Sequence, residues 1–412
     1  MIDTGDTAFM LVAASLVLIM TPGLAFFYGG LVGRKNVLTI MMQSIVSLGV
    51  TTILWVTVGY SLCFGTDVYG IIGNPIDHIL LRNIAPTDLS TDLDIPVFVF
   101  VAYQLMFAII TPALITGAFA NRVPFKAYLI FLVGWLLFVY FPFVHMIWGG
   151  GWLADWGVLD FAGGIVVHEL AGLAALATVF VVGARRAHDP EPHNIPFVAL
   201  GTALLWFGWF GFNAGSALAV SGVTGLAFLN TQIGASFAAV TWMAFDWVVE
   251  GKPSVVGFCV GAVAGLATVT PTAGYIAPQS AMLLGILAGS VCYAAVIFRK
   301  KMDWDDALDV WGVHGVGGVL GILLLGLFAT TDMNAAGADG LFFGGHEFFL
   351  KELVAVLFAA VWAFGFTFGM LKLINMYTPV RVSKSVEQTG LDGALHGESA
   401  YIEAGSAEIE EE

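Results

Sequence analysis

The stretch FAGGIVVHELAGLAALATVFVVG, residues 161–183, decides the fold class, because its only ionisable side chains are His168 and Glu169. A bilayer-spanning helix takes about 20 mostly apolar residues, and this run is long enough. Runs of the same kind recur along the 412 residues, of which 58% are apolar and 11% charged, with a mean hydropathy of +0.89. A soluble domain is about 45–50% apolar and about 25% charged, so too few charges remain here to coat a water-facing surface. That excludes a soluble globular enzyme and implies an all-α polytopic membrane protein.

Apolar runs between polar breaks predict eleven spans, near 9–32, 37–65, 96–120, 126–147, 161–183, 196–213, 226–249, 255–270, 280–298, 307–328 and 348–373. The opening MIDTGDTAF has no Lys or Arg ahead of its apolar run, so it reads as the start of a retained first span and not as a signal peptide. With the N-terminus outside, thirteen of the 15 Lys and Arg fall at cytoplasmic span ends, and only Arg82 and Lys351 fall outside. This bias predicts an outside N-terminus and a cytoplasmic C-terminus. Residues 1–376 then form the transmembrane domain, and 377–412 a cytoplasmic tail.

The formal charge of −15 leaves no basic surface for nucleic acid. Eight of the acids lie in 381–412, against Arg381 and Lys384. The final AGSAEIEEE, acidic and nearly free of bulky apolar residues, reads as disordered. Cys63, Cys259 and Cys292 sit inside apolar runs without metal-like spacing and read as small packing residues. The 50 glycines cluster within the spans, as in GWFGFNAGSA (208–217) and GVHGVGGVLG (312–321). Small residues let membrane helices approach closely, so a tight bundle is expected.

The fifth and tenth spans echo one another. Asp160 precedes His168, with Gly172 four residues on, and Asp309 precedes His314, with Gly318 again four on. With the intervening spans counted, the two run in opposite directions, as an inverted five-plus-five repeat requires (about 9–183 and 196–328, with an eleventh helix at about 348–373). In such folds the transport site lies near the midplane, at the repeat interface.

Intramembrane ionisable groups are costly and generally face the bundle interior or a water path, which marks His168 and His314. Facing one another, two desolvated imidazoles in complementary tautomers would give a neutral donor–acceptor wall in an apolar passage, suited to a small hydrogen-bonding solute. A bis-histidine haem is the rival reading, and a packed, carbonyl-bonded histidine the plain one. Glu169, about 100° around the helix from His168, should miss the pore face and bond between helices or subunits. Phe107, Trp148, Trp209 and Phe212 are candidates to frame a cation, since an aromatic face attracts one by roughly 0.5–2 kcal/mol. Membrane-belt and packing roles compete for each ring, given 33 Phe and 12 Trp.

Seven stretches carry a family resemblance: TPGLAFFYGGLVGRKN (21–36), QLMFAIITPALITGAFANR (104–122), HMIWGGGWLADWGVLDFAGGIVVHELAG (145–172), LLWFGWFGFNAGSAL (204–218), AGLATVTPTAGYIAP (264–278), DVWGVHGVGG (309–318) and VEQTGLDGALHGESAY (386–401). The sequence resembles ammonium transporters of the Amt/Mep/Rh family, on the Amt side, over nearly the whole chain. The resemblance implies ammonium or ammonia transport across the plasma membrane by an eleven-helix protomer in a homotrimer, with one pore per subunit and no cofactor. It also implies an outer recruitment site of Phe107, Trp148 and Ser216, a phenyl gate of Phe107 and Phe212, and a twin-histidine pore of His168 and His314. Asp160 would support the cation site. The folded tail would couple neighbouring subunits, and a PII-type signalling protein would plug the cytoplasmic mouths.

Two positions depart from the family pattern: Glu169-Leu170, where an apolar residue and then Ser or Asn is usual, and Asn121-Arg122, where many members have Glu-Arg. An ammonium sensor signalling through its tail is the alternative function. A further output domain would favour it, and only 36 residues follow Met376.

Overall fold

The computed structural model describes residues 1–90, 93–187 and 192–401. The acidic end expected to be disordered, 404–412, lies outside them.

Among the described residues ten helices are long and apolar enough to cross a bilayer: α1 Thr4–Leu31, α2 Val37–Phe64, α3 Val97–Phe119, α4 Phe125–Trp156, α5 Gly164–Val182, α6 Ile195–Gly215, α7 Gly222–Glu250, α9 Pro278–Lys301, α10 Trp311–Phe328 and α11 His346–Tyr377. Between α7 and α9 lies a shorter apolar helix, α8 Val255–Val269, of 15 residues. At 1.5 Å per residue it is about 22 Å long, less than the hydrocarbon core, and it stands largely buried among its neighbours. The expected spans are therefore all present. Their ends move by a few residues, most in α4, which runs on through a break at Gly149–Gly151 to a last turn, Trp152–Trp156.

Local chemistry sets several of these ends. Asp3, Asn194 and Ser254 take backbone N–H groups in the first turns of α1, α6 and α8, and Ser221 and Thr224 cap α7 reciprocally. Before α10, Asp306 Oδ2 accepts the Trp311 N–H at 2.7 Å, and Asp309 has a φ of 59°. A residue in the left-handed region ends regular helix, so α10 begins later than residue 307.

Glycine fixes how near the helices come. A β-carbon at Gly201 of α6 would lie 2.3 Å from the Phe27 nitrogen of α1, so these two helices run in backbone contact. Large apolar side chains such as Phe207, Leu229, Val361 and Leu373 are exposed around the outside of the bundle, where a bilayer would cover them. Between α2 and α3 a small hairpin, β1 Asp67–Val68 and β2 Ile72–Gly73, lies over one end of the bundle, the same end as Trp148.

The other end carries the tail. Asp392 accepts the Leu38 and Thr39 N–H groups of α2 at 3.0 and 2.8 Å, and Arg381 pairs with Glu387 while donating to Val182 O at 3.1 Å and Ala184 O at 2.7 Å. The segment from Arg381 to Tyr401 is thus folded against the inter-helix loops. Arg122, which follows the departing Asn121 and itself matches the family's Glu-Arg pattern, is fully buried here, and it donates to the carbonyls of Ala118, Gly183 and Asp305.

Candidate functional site

Asp160 organises the entrance to α5. Its Oδ1 accepts the N–H groups of Gly163 and Gly164 at 2.9 and 2.6 Å, and its Oδ2 those of Ile165 and Val166 at 2.8 and 3.1 Å. These are first-turn donors that a helix cannot satisfy itself, and a carboxylate also suits the positive end of the helix dipole. Gly163 has a φ of 116°, which lets the chain turn over the carboxylate. The Asp160 carbonyl accepts the Trp148 indole N–H at 2.8 Å, so one residue fixes both the start of α5 and the Trp148 ring.

From Trp148 a file of rings runs into the bundle. Phe107 of α3 meets Trp148 edge-on, with centroids 5.9 Å apart, and lies over Phe212 of α6 at 4.3 Å. Phe212 is 6.0 Å from the His168 ring at an interplanar angle of 27°, and His168 stacks on His314 at 5.2 Å and 20°. Phe107, Phe212, His168 and His314 are each at most 3% exposed.

The open space falls in two parts. A cavity of about 520 Å³ at the Trp148 end is lined by Phe107, Trp148, Asp160, Ser216, Gln104 and Tyr275, among others. Past the Phe107–Phe212 pair the free volume shrinks to about 10 Å³, against His168, His314, Phe212, Trp209 and the aliphatic side chains of Leu114 and Val167. That is about the space of one water-sized probe.

The two histidines touch directly, Nδ1 to Nδ1 at 3.2 Å. One nitrogen must donate and the other accept, so the rings take complementary tautomers. The two helices each make a π-helical turn at this point, Gly164–Glu169 and Trp311–Gly315. They also cross with paired glycines: a β-carbon at Gly172 would meet Gly315, and one at Gly318 would lie 2.7 Å from the Glu169 nitrogen. The residue four places after each histidine thus packs against the residue directly after the other histidine.

Ser216 lines the wider cavity, with its hydroxyl donating to Phe212 O at 2.8 Å and lying 3.2 Å from the Tyr103 hydroxyl. Tyr103 also donates to the Gly211 and Phe212 carbonyls, at 3.0 and 2.9 Å, tying α3 to the end of α6. Sequence reasoning passed over this tyrosine, since nothing in its spacing marks a hydroxyl that braces a neighbouring helix.

Two expectations change. Trp209 does not line the wider cavity at the Trp148 end. It lies deeper, 5.3 Å from the His168 ring, and its indole N–H donates to Thr270 at 2.9 Å. Glu169 is fully buried, and among the described residues neither carboxyl oxygen has a hydrogen-bond partner, so the expected bond between helices is not made there. Among the described residues no group of three or more His, Cys, Asp or Glu has metal-site geometry.

The chain is similar to the ammonium transporter of Bacillus subtilis, with 45% identity over 401 residues, 96% of this chain and 98% of that one. Against ammonium transporter Amt1 of Archaeoglobus fulgidus the identity is 42% over 400 residues, covering 96% and 99%. Among solved structures, the crystal structure of Saccharomyces cerevisiae Mep2 superposes with a TM-score of 0.89 at 32% identity, covering 98% of this chain and 93% of that one. A solved Sensor Amt Protein superposes with a TM-score of 0.87 at 28% identity, covering 95% and 98%. Residues 8–401 match the Ammonium Transporter Family, and the chain, a multi-pass membrane protein, belongs to that family.

Proposed function

We propose that the chain takes up ammonium across the plasma membrane by recruiting the cation at Trp148, Phe107 and Ser216 and passing it inward as ammonia. The observation that carries this reading is the collapse of the passage from a roomy, partly polar cavity to about 10 Å³ beside the histidines. A bare ion in so narrow an apolar slot loses its hydration at a cost of many kcal/mol, and uncharged ammonia does not. Ammonium therefore gives up its proton to solvent water in the wider cavity, before the Phe107–Phe212 gate, the N–H bond breaking with its electron pair left on nitrogen and a new O–H bond forming on the water. Beyond the gate, His168 and His314 supply the polar wall that accepts from ammonia and donates to it. Potassium has no proton to release and stops at the outer aromatic site.

In this reading the Trp148 end faces outward and the tail inward, in keeping with the bias of Lys and Arg. The crosswise glycine contacts at the two histidines support inverted halves at about 9–183 and 196–328. The assembly is a homotrimer, with a PII-type protein as the partner at the tail face.

The similarity to a Sensor Amt Protein favours one second reading, in which occupancy of the outer site is signalled through the tail. Currents from reconstituted protein on a solid-supported membrane, stepped with ammonium and then potassium, separate the two. Sustained ammonium-specific current supports transport. A brief binding transient without turnover supports the sensor, and equal potassium current overturns both.

A further inference from the structure

The turn that carries Trp148 is held from behind by a side chain to which the proposed function assigns no role. His145 lies three residues before Trp148 on α4 and is fully buried. Its Nδ1 is 2.9 Å from the Cys63 carbonyl oxygen and its Nε2 is 3.0 Å from Asp67 Oδ1. The carbonyl can only accept. Asp67 Oδ1 also accepts the Gly70 N–H at 2.8 Å, as a carboxylate oxygen does. Filling both contacts takes a hydrogen on each ring nitrogen, which makes the ring an imidazolium.

The main chain wraps around this ring. The His145 carbonyl accepts the N–H groups of Gly149 at 3.0 Å and Gly151 at 2.9 Å, and Gly70 O accepts the Trp152 N–H at 3.0 Å. A β-carbon at Gly149 would lie 2.0 Å from Cys63 O and 2.7 Å from His145 Nδ1. The Gly149–Gly151 turn is therefore pressed between the imidazole, the end of α2 and the β1–β2 hairpin, and Trp148 directly precedes it. The titratable groups facing the ring are Asp67 from the hairpin, 47% exposed, and Cys63 from α2, whose thiol donates to Phe141 O at 3.7 Å. Asp160 faces Trp148 with its carboxylate spent on four backbone donors.

We propose that the His145–Asp67 ion pair is a positioning element for the recruiting ring of Trp148, effective only while the imidazole carries its second proton. The proposal rests on the outer-site reading above. A neutral ring has one hydrogen for two acceptors, so on deprotonation it releases either Cys63 O or Asp67. Either loss frees one wall of the turn and lets the Trp148 ring depart from Phe107.

The test is the half-saturation of ammonium-evoked current by the reconstituted full chain, measured from mildly acid to mildly alkaline solution. The wild-type chain, Asp67→Asn and Trp148→Leu are compared. In Asp67→Asn a neutral ring keeps both of its own contacts, with Nδ1–H donating to Cys63 O and Nε2 accepting from the asparagine amide, while the Gly70 N–H loses its side-chain acceptor at every pH. Half-saturation of the wild type is expected to rise several-fold toward the alkaline end, and that of Asp67→Asn to stay flat. A flat wild-type profile, or an unchanged slope in Asp67→Asn, overturns the proposal. Wild-type half-saturation in Trp148→Leu would instead overturn the outer-site reading on which it rests. A second readout does not depend on transport. In ¹⁵N-histidine spectra near neutral pH, one ring with both nitrogens protonated should become neutral in Asp67→Asn, and the absence of such a ring also overturns the proposal.

Discussion

A β-carbon at Gly172 would stand 2.0 Å from the backbone nitrogen of Gly315, so α5 and α10 cross in backbone contact one turn past His168 and one residue past His314. This crossing brings two imidazoles on different helices within 3.2 Å of each other. Gly172→Ala should force the helices apart, at the roughly 1–3 kcal/mol typical of overpacking, and separate the rings. Gly225→Ala in α7, where a β-carbon meets nothing within 4 Å, is the control and should be neutral or slightly stabilising. Thermal unfolding in detergent with ammonium uptake checks both; wild-type stability and uptake in Gly172→Ala would refute the tight crossing.

His168→Ala and His314→Ala each remove half of the polar wall in the narrow part of the passage. Both variants should fold and lose selective ammonium conduction, because the remaining imidazole alone no longer offers ammonia a paired donor and acceptor and the widened slot admits water. Currents evoked by ammonium and by potassium measure the effect. Unaltered flux and selectivity in both variants would remove the histidines from the mechanism.

Trp148→Leu deletes a π face, and Ser216→Ala deletes a hydroxyl that lines the cavity while bonded to Phe212 O and facing the Tyr103 hydroxyl. Each should weaken apparent ammonium affinity by about 1–2 kcal/mol, on cation–π and charged hydrogen-bond magnitudes. Tyr103→Phe should move the half-saturation in the same direction by a smaller amount, since Tyr103 reaches the cavity only through the Ser216 hydroxyl. An unchanged concentration dependence in the Trp148→Leu, Ser216→Ala double variant would argue against recruitment there.

The spans were legible because hydrocarbon imposes a length and an apolar composition that few other environments demand. Their ends were less so: α10 starts at Trp311 and not at 307 because Asp306 caps it and Asp309 turns the chain, a tertiary arrangement that hydropathy does not encode. His168 and His314 stood out as ionisable groups in apolar runs, and the four-residue spacing to Gly172 and Gly318 marked the glycines that pack at the crossing. Tyr103 and His145 stayed hidden, since their hydrogen bonds join residues 108 or more and 78 or more positions apart in sequence. Glu169 was read as bonded because a buried carboxyl usually is, and its two unpartnered oxygens break that rule.

Acid should loosen the tail face through Asp305. Burial alone would push its carboxyl up, but hydrogen bonding to Arg185 and the charge of Arg122 prevail and hold it down at about 2. A carboxyl held below its unfolded value of about 3.9 stabilises the fold above that pH, and the contribution is lost as pH falls toward 2. Asp305→Asn should therefore lower the melting temperature at neutral pH and flatten its decline between about pH 4 and 2. Parallel acid profiles for variant and wild type would show that Asp305 carries none of this dependence.

The tail supplies the last prediction. Asp392 acts as the missing cap of α2, accepting two first-turn N–H groups and the Thr39 hydroxyl, and Glu387 takes Arg381 together with the Arg186 backbone N–H. Further along, Tyr401 bonds His193 at 2.8 Å with Arg34 over its ring, while His193 reaches Val32 O at 2.7 Å. Truncation before Arg381 removes every tie that the tail itself makes and leaves only His193–Val32, and it should lower transport while leaving the bundle folded, because the helix core is packed without the tail. Truncation after Tyr401 keeps them all and should change little. Asp392→Ala should fall between, costing about 0.5–2 kcal/mol as a lost helix cap. Uptake at matched membrane abundance decides: equal activity of the two truncations would leave the tail without a part in transport, and a graded loss, with Asp392→Ala in the middle, would mean the tail acts through the start of α2.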